Sequence, residues 1–280
     1  MDPTIFVAVI IAALLHASWN LLVKLNLDRF LSIFLLQCFI GLIGLAMLAS
    51  FPWPAAPSLP YALASGGLHA GYNLFLARSY RTGDLSQVYP IARGSAPLLT
   101  FAGAWLLVGE GASMITAGAI ILLVAGIWIT GIAGSRSIRL DGLTLMFALG
   151  TSGFIAAYTL VDGLGGRASA SPAAYAGLVF LIDTAFMIVV GLAMRGPRIF
   201  ALVLPYWKSG LAGAALSAAA YWIVIWAMTK AHIAAVAALR ETSILFVMIM
   251  SVVVLKEQVT AWRIIGAVLI VAGAVALRLA

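Results

Sequence analysis

The sequence predicts an all-α integral membrane protein of ten transmembrane helices, arranged as two inverted repeats of five helices each. Of its 280 residues, 64% are hydrophobic and only 9% are charged, whereas a soluble domain carries about 25% charged residues. Apolar runs of about 20 residues, enough to cross a bilayer of about 30 Å, follow one another along the chain. A motif that occurs once in each half indicates the duplication. These observations exclude a soluble globular protein.

Short polar or proline-rich breaks separate the ten apolar spans. They include FPWPAAPSLP at 51–60, GSRSIRLD at 134–141 and RGPR at 195–198, which carry the residues typical of turns. The N-terminal MDPTIF lacks the positive region of a secretory signal and predicts the start of a retained helix. The predicted spans are about 4–23, 30–50, 58–79, 85–108, 113–133, 141–161, 173–194, 206–229, 233–255 and 260–279.

The repeated motif is an arginine that opens an apolar run and a glutamate that closes it seventeen residues later. It runs from Arg93 to Glu110 and again from Arg240 to Glu257. We therefore predict two repeats, the first covering 1–135 and the second 136–280. Because each repeat holds an odd number of spans, the second enters the membrane upside down, as in many secondary transporters.

The basic residues stand singly at span ends, so the net charge of +7 favours orientation in a membrane over nucleic-acid binding. The positive-inside rule then predicts that both termini lie outside the cytoplasm. One face of the predicted membrane has only Arg167, Lys230 and Arg278. The other has Lys24, Arg29, Arg78, Arg81, Arg136, Arg139, Arg195, Arg198, Lys208, Lys256 and Arg263.

Arg93 and Arg240 lie inside apolar spans, where a charged side chain is costly unless it faces protein or water. Two interpretations are open. Each arginine either binds an anionic group of a substrate, which the guanidinium geometry suits, or is satisfied within the protein. For Arg93 the internal partner would be backbone carbonyls or an acid of the other repeat; for Arg240 it would be Glu241 or Asp183.

A second motif occurs twice in the first half, as His16-Ala-Ser-Trp19-Asn20 and as His69-Ala-Gly-Tyr72-Asn73. Offsets of three and four share one face of a helix. Each motif therefore directs a histidine, an aromatic ring and an amide to the same side. These side chains either form a substrate-facing wall or hydrogen-bond neighbouring helices.

Other polar and aromatic positions complete the candidate site. Pro90 and Pro97 should bend the fourth span beside Tyr89 and Arg93, and they leave carbonyls near residues 86–93 in need of other donors. Asp84, with Gln87, is expected to cap that span, and Glu110 and Glu257 to cap the helices that follow them. Tyr158 and Tyr221 are further candidate aromatic walls. We place only Asp183 and Glu241 among the acids inside spans, which makes them candidates for proton coupling.

Several classes of function have no support in the sequence. Enzyme motifs are missing, so no catalytic residue and no cofactor is predicted, and no metal site is expected. Cys38 is the single cysteine, which excludes an internal disulfide.

Gly118 with Gly126, and Gly266 with Gly273, predict close packing of the fifth and tenth helices.

The chain resembles the ten-helix EamA-type members of the drug/metabolite transporter superfamily. The resemblance covers essentially the whole chain. It is carried by the paired motifs from Arg93 to Glu110 and from Arg240 to Glu257, by LeuArgGluThrSer at 239–243 and by HisAlaSerTrpAsn at 16–20. Glu257 follows a lysine where the family usually has glycine.

The resemblance implies a basket of two inverted five-helix repeats, in which helices five and ten pack at the back. It implies a secondary transporter, and we expect an exporter of a small organic solute, such as an amino acid or a related amphipathic metabolite or drug, by alternating access. The expected location is the bacterial inner membrane, as a monomer or homodimer with possible proton coupling. Residues on the implied cavity-lining helices are His16, Trp19, Asn20, His69, Tyr72, Asn73, Tyr89, Arg93, Tyr158, Tyr221, Arg240 and Glu241.

Two alternatives remain open at this point. A bile-acid/sodium-symporter-like carrier also has two inverted five-helix repeats, although it would need broken helices in both halves. A non-transporting integral-membrane enzyme or subunit is the other.

Overall fold

The computed structural model describes residues 1–25, 29–82, 85–111, 113–132, 142–256 and 259–280, and these ranges are helical with no β-strand. Short 3₁₀ helices lie at Ala56–Ser58 and Leu204–Tyr206, and Ala104–Val108 is π-helical. The α-helices of these ranges are α1 (Pro3–Leu25), α2 (Arg29–Ser50), α3 (Leu59–Thr82), α4 (Leu85–Gly103), α5 (Met114–Ile132), α6 (Gly142–Ala168), α7 (Pro172–Arg195), α8 (Ile199–Val203), α9 (Trp207–Met228), α10 (Ile233–Arg240), α11 (Ser243–Leu255) and α12 (Ala261–Leu279).

Within the described ranges, nine helical stretches are long and apolar enough to cross a membrane. Two of them join neighbouring helices: α8 with α9, as Ile199–Met228, and α10 with α11, as Ile233–Val254. The remaining predicted span, α3, is also long enough at 24 residues, but His69, Asn73 and Arg78 make it more polar. The predicted all-α membrane fold is confirmed.

The chain packs as two compact units, and each unit draws helices from both halves of the sequence. Helices α1, α3 and α6 contribute residues to both units. The predicted repeat boundary falls among residues outside the described ranges, and the division into two sequence repeats stays a prediction. The first unit comprises residues 1–10, 68–160 and 230–280, and the second comprises 11–67 and 161–229.

In the first unit α5 packs along α12, as the glycines of the fifth and tenth spans predict. A Cβ atom on Gly126 would lie 2.6 Å from the Gly266 carbonyl oxygen, and one on Gly273 would lie 2.8 Å from that of Ala119. The two backbones can touch only because these side chains are absent. Gly118 has nothing within 4 Å of the place of its missing Cβ, so its predicted part in the contact is wrong.

In the second unit α2 lies against α7 and α9. Gly44 of α2 approaches the backbone of α7, since a Cβ atom there would lie 2.6 Å from the Gly177 carbonyl oxygen. Burial of apolar side chains around this contact forms the unit's core. The fully or nearly fully buried members include Leu36, Ile40, Ala62, Tyr175, Ala176, Val179, Phe180, Ala214, Ala218 and Ile225.

The two ends of the chain meet within the first unit. The Met1 ammonium group donates to the Arg278 carbonyl at 3.1 Å, and the Arg278 guanidinium donates to the Met1 carbonyl at 3.3 Å. Asp2 begins α1 by accepting from the backbone N–H groups of Thr4 and Ile5, and these bonds lower the pKa of its carboxyl group. An even number of spans places both ends on the same side of a membrane, which permits this contact.

Candidate functional site

The two repeat-related arginines converge on one carboxylate in the first unit. Arg93 Nε donates to Glu241 Oε2 at 3.0 Å, and Arg93 Nη2 lies 3.0 Å from the same oxygen. Arg240 Nη2 lies 3.5 Å from Glu241 Oε1. No side chain of the three is more than 8% exposed. The structure therefore shows an internal partner for both arginines. Arg93 pairs with an acid of the other predicted repeat, Glu241, and Arg240 pairs with the same residue.

Local packing explains why the acid occurs in only one repeat. The sequence shift that relates Arg93 to Arg240 also relates Gly94 to Glu241, so Gly94 is the position that corresponds to the acid. A Cβ atom on Gly94 would lie 2.6 Å from the Trp128 indole ring of α5, so this position cannot carry a side chain without displacing that ring. The second repeat alone supplies the carboxylate, and it serves both arginines.

A break in the ninth span positions Glu241. Helix α10 ends at Arg240 and α11 begins at Ser243. Across the break, backbone N–H groups bond three residues back, from Glu241 to Ala238 and from Thr242 to Leu239, and the Thr242 hydroxyl also donates to the Leu239 carbonyl at 2.7 Å. Side-chain bonds of this kind compete with the regular helix ladder. No proline lies at this break, so the positions of the prolines in the sequence did not indicate it.

The fourth span, which has two prolines, stays α-helical from Leu85 to Gly103. The Ser152 hydroxyl of α6 lies 2.8 Å from the Ala92 oxygen and 3.4 Å from that of Ile91. The carbonyls that the two prolines leave without a helix donor are those of residues 86 and 93, so the expected donors for them stay a prediction. Ser152 is fully buried. It ties α4 to α6 within one turn of Arg93.

The histidine and aromatic ring of the second His-aromatic-Asn motif gather around Tyr158 of α6. The His69 ring stacks on the Tyr158 ring with centroids 4.1 Å apart and planes 20° apart, and Tyr72 meets the same ring edge-on at 6.0 Å. The helices can approach because Gly71 lies against the Phe154 ring, where a Cβ atom would be 2.3 Å away. Asn73 is exposed and lies outside this aromatic group.

The first motif lies in the second unit and bonds largely within its own helix. Trp19 Nε1 donates to His16 Nδ1 at 3.3 Å, and the Asn20 amide donates to the His16 carbonyl at 2.8 Å. The three side chains therefore share one side of α1, as their spacing predicts. Trp19 also packs against the core of this unit.

Glu110 caps a different helix from the one that sequence favours. Its carboxylate accepts from the backbone N–H of Ile233, at 2.9 and 3.1 Å to its two oxygens. His232 Nδ1 lies 3.7 Å from the same carboxylate. Glu110 therefore caps α10, whose N-terminus presents N–H groups that lack partners within the helix; its expected role as a cap of the fifth span stays a prediction.

The second unit contains Asp183 and a further buried acid that sequence reasoning missed. Asp183 accepts from the side-chain amide of Gln37. Asp162 lies in α6, is 1% exposed, and accepts from the hydroxyls of Tyr175, at 3.0 Å, and Tyr221. The prediction that only Asp183 and Glu241 lie inside spans is therefore wrong. The sixth span was expected to end at 161, whereas α6 continues to Ala168.

Some sequence candidates fall where the structure gives no description. The Tyr89 side chain, Asp84 and Glu257 lie outside the described part of the chain, so their predicted roles are untouched. Among the described residues, no group of three or more His, Cys, Asp or Glu side chains is arranged to hold a metal ion.

Comparison with known proteins agrees with this architecture. A model of the EamA-like transporter family matches residues 142–279. A crystal structure whose description names no activity is similar over 100% of this chain and 98% of its own, with a TM-score of 0.79 at 17% identity, which shows a shared fold. No curated protein matches. The chain is a multi-pass membrane protein that belongs to the EamA-like transporter family of the drug/metabolite transporter superfamily, whose members are transporters and not enzymes.

Proposed function

We propose that this protein is a secondary transporter that exports a small organic solute, such as an amino acid or a related amphipathic metabolite or drug, by alternating access. The observation that carries the proposal is the sharing of the Glu241 carboxylate by Arg93 and Arg240. Family membership supports transport in general, and the chemistry of this cluster supports a solute with an anionic group.

The protein's own carboxylate is the best guide to the ligand. Arginine presents several donors in a planar fork that matches carboxylate geometry, and Glu241 already occupies this fork at Arg93. A solute carboxylate that reaches Arg93 exchanges one charge-assisted bond for another. Such an exchange leaves no guanidinium without a partner, which keeps the cost of binding low in a buried site.

The remaining candidates supply the apolar and hydrogen-bonding surfaces. In the first unit, the ring group of His69, Tyr72 and Tyr158 offers flat faces for the solute's apolar part. In the second unit, His16, Trp19 and Asn20 present one polar side of α1. Tyr89, Asn73 and Tyr221 stay in the proposed substrate-binding set on the strength of their positions in the sequence.

Proton coupling through Glu241 or Asp183 is part of the proposal. Protonation of Glu241 would change its bonds with Arg93 and Arg240, and protonation of Asp183 would change its bond with Gln37. We place the protein in the bacterial inner membrane with both termini outside the cytoplasm, on the charge distribution alone, as a monomer or homodimer.

Proteoliposome flux tests the proposal. Vesicles that contain the reconstituted protein are loaded with a panel of radiolabelled amino acids and organic anions, and efflux is measured with and without a pH gradient. Arg93→Ala is expected to abolish the flux, while Arg195→Ala, which removes an exposed arginine at the end of α7, is expected to preserve it. Arg93→Lys keeps the charge but not the planar fork, and it should retain only part of the flux. Normal transport by Arg93→Ala would remove this arginine from the mechanism.

A further inference from the structure

We propose that Asp162, together with Tyr175 and Tyr221, is a proton-binding site of the transporter, and that Tyr221 transmits its protonation state to the solute. The inference rests on the proposed transport function. It adds a third carboxylate, in the second unit, to the two that sequence suggests for coupling.

The arrangement of donors distinguishes this acid from Glu241. Tyr175 donates to Oδ1 of Asp162 and Tyr221 to Oδ2. A phenolic hydroxyl can donate or accept a hydrogen bond, whereas a guanidinium group can only donate. When Asp162 gains a proton, one tyrosine hydroxyl turns to accept it and every bond is kept. Glu241 faces arginines, which cannot accept a proton in this way.

The site is constructed by close packing, which argues against a chance contact. Asp162 is 1% exposed and Tyr175 is fully buried. Tyr175 reaches the acid across Gly165, where a Cβ atom would lie 2.2 Å from the Tyr175 hydroxyl oxygen. Any larger residue at 165 would displace the phenol. The groups that face the site include Tyr175 of α7, Tyr221 of α9 and, beside Tyr175, Tyr61 of α3.

The charged residue nearest along the same helix is already engaged. Arg167 lies five residues beyond Asp162, and its Nε donates to the Met228 carbonyl at 2.8 Å. Asp162 itself lies six residues from the end of α6 at Ala168, about 9 Å at 1.5 Å per residue. With the predicted orientation, that end of α6 faces outside, where an inward-directed proton gradient supplies protons.

The proton step is simple to balance. A proton from the outer aqueous phase binds Oδ2 of Asp162, the Tyr221 hydroxyl rotates from donor to acceptor, and its own hydrogen turns toward the side of Tyr221 that is only partly buried. We assign that side to a hydrogen-bond donor of the solute, such as an ammonium group, because Tyr221 belongs to the proposed substrate-binding set. The rotated hydrogen repels this donor, and release of the proton restores the acceptor. Proton and solute therefore exclude each other at one hydroxyl group, which is the linkage that export driven by an inward-directed proton gradient requires.

The first test uses the proton itself as the probe and needs no substrate. Infrared difference spectra of the reconstituted full-length protein are recorded across a pH titration, because only a protonated carboxyl group has a carboxylic C=O stretch. A band is expected that disappears in Asp162→Asn and shifts in frequency in Tyr221→Phe and Gly165→Ala. Asp183→Asn should leave that band in place. A titration without any band that depends on Asp162 would overturn the proposal.

The second test measures coupling with the radiolabelled amino-acid panel. Efflux by Asp162→Asn is expected to be the same with and without a pH gradient, while Asp2→Asn, which removes an exposed carboxylate outside the spans, keeps the wild-type increase. A normal response in Asp162→Asn overturns the inference. Wild-type vesicles that carry no flux of any solute would instead contradict the transport proposal, and the infrared result would still decide whether Asp162 binds a proton.

Discussion

Because Arg93 and Arg240 share one carboxylate, we expect replacement of Glu241 to cost more stability than replacement of Arg93. Glu241→Gln keeps the shape of the side chain but removes the charge from between two buried guanidinium groups. Breaking a buried ion pair by removing one partner costs about 3–5 kcal/mol. Arg93→Met removes one guanidinium but leaves Glu241 beside Arg240, so we expect a loss near that of one charged hydrogen bond, about 1.5–3 kcal/mol. The glutamate variant should be the less stable of the two.

Thermal unfolding in detergent measures the difference. At roughly 2–4 °C per kcal/mol, Glu241→Gln should melt about 6–20 °C below the wild type. Cys38, the single cysteine, reports unfolding of the second unit through a thiol-reactive dye. Intrinsic fluorescence of the eight tryptophans, which are distributed over both units, reports on overall unfolding. If Glu241→Gln melts no lower than Arg93→Met by either probe, the argument from a shared acid is refuted.

Two control variants make that comparison specific. Asp2→Asn removes an exposed carboxylate at the start of α1 and should leave the melting temperature close to that of the wild type. Replacing the pair together, as Arg93→Met with Glu241→Leu, should recover part of the loss, because apolar side chains of similar volume avoid the desolvation of charge.

Four further substitutions test the backbone, the helix packing and a buried hydrogen bond. Lys256→Gly should raise the free energy of unfolding by about 1 kcal/mol, because Lys256 ends α11 at φ 54; equilibrium unfolding measures this. Gly266→Leu should lower the melting temperature, because a Cβ atom there would lie 2.1 Å from the Thr130 hydroxyl oxygen, whereas Gly118→Leu meets nothing within 4 Å and should change little. Ser152→Ala removes the side-chain donor to the Ala92 carbonyl and should cost about 0.5–1.5 kcal/mol, measured by the same melts.

Hydropathy and the cost of buried charge made much of the molecule predictable. The spans follow from runs of apolar residues, and the α5–α12 contact follows from small residues that permit close approach of backbones. That an arginine at lipid depth must find a partner or water left an acid of the other repeat, backbone carbonyls and a substrate anion open for Arg93, and the structure shows the acid. Each of these inferences depends on a large free-energy contribution, from apolar surface, backbone packing or buried charge, that can be read from the residue types alone.

Other features depend on tertiary contacts that the sequence does not display. The Gly-Leu-Gly-Gly run at 163–166 favours a loop, yet α6 continues through it because Gly165 makes room for Tyr175. Asp162 was missed for that reason. The break at Glu241 has neither proline nor glycine, so turn chemistry gave no warning of it. Glu110 bonds a residue 123 positions away, a partner that no local pattern specifies.

The spacing of the repeated motif acquires a physical meaning from these contacts. Arg93, at one end of its first copy, bonds Glu241 just after α10 ends, and Glu110, at the other end, caps Ile233 where α10 begins. The eight-residue helix α10 is thus held at both ends by the fourth span. An isolated helix of this length is unstable, so these two contacts and its buried apolar residues must stabilise it. Because the regular helix is interrupted at Glu241, exchange of the Arg93–Glu241 bond would remove one of these two contacts while Glu110 keeps the other. We therefore predict that solute binding at Arg93 and movement of α10 occur together in the proposed cycle.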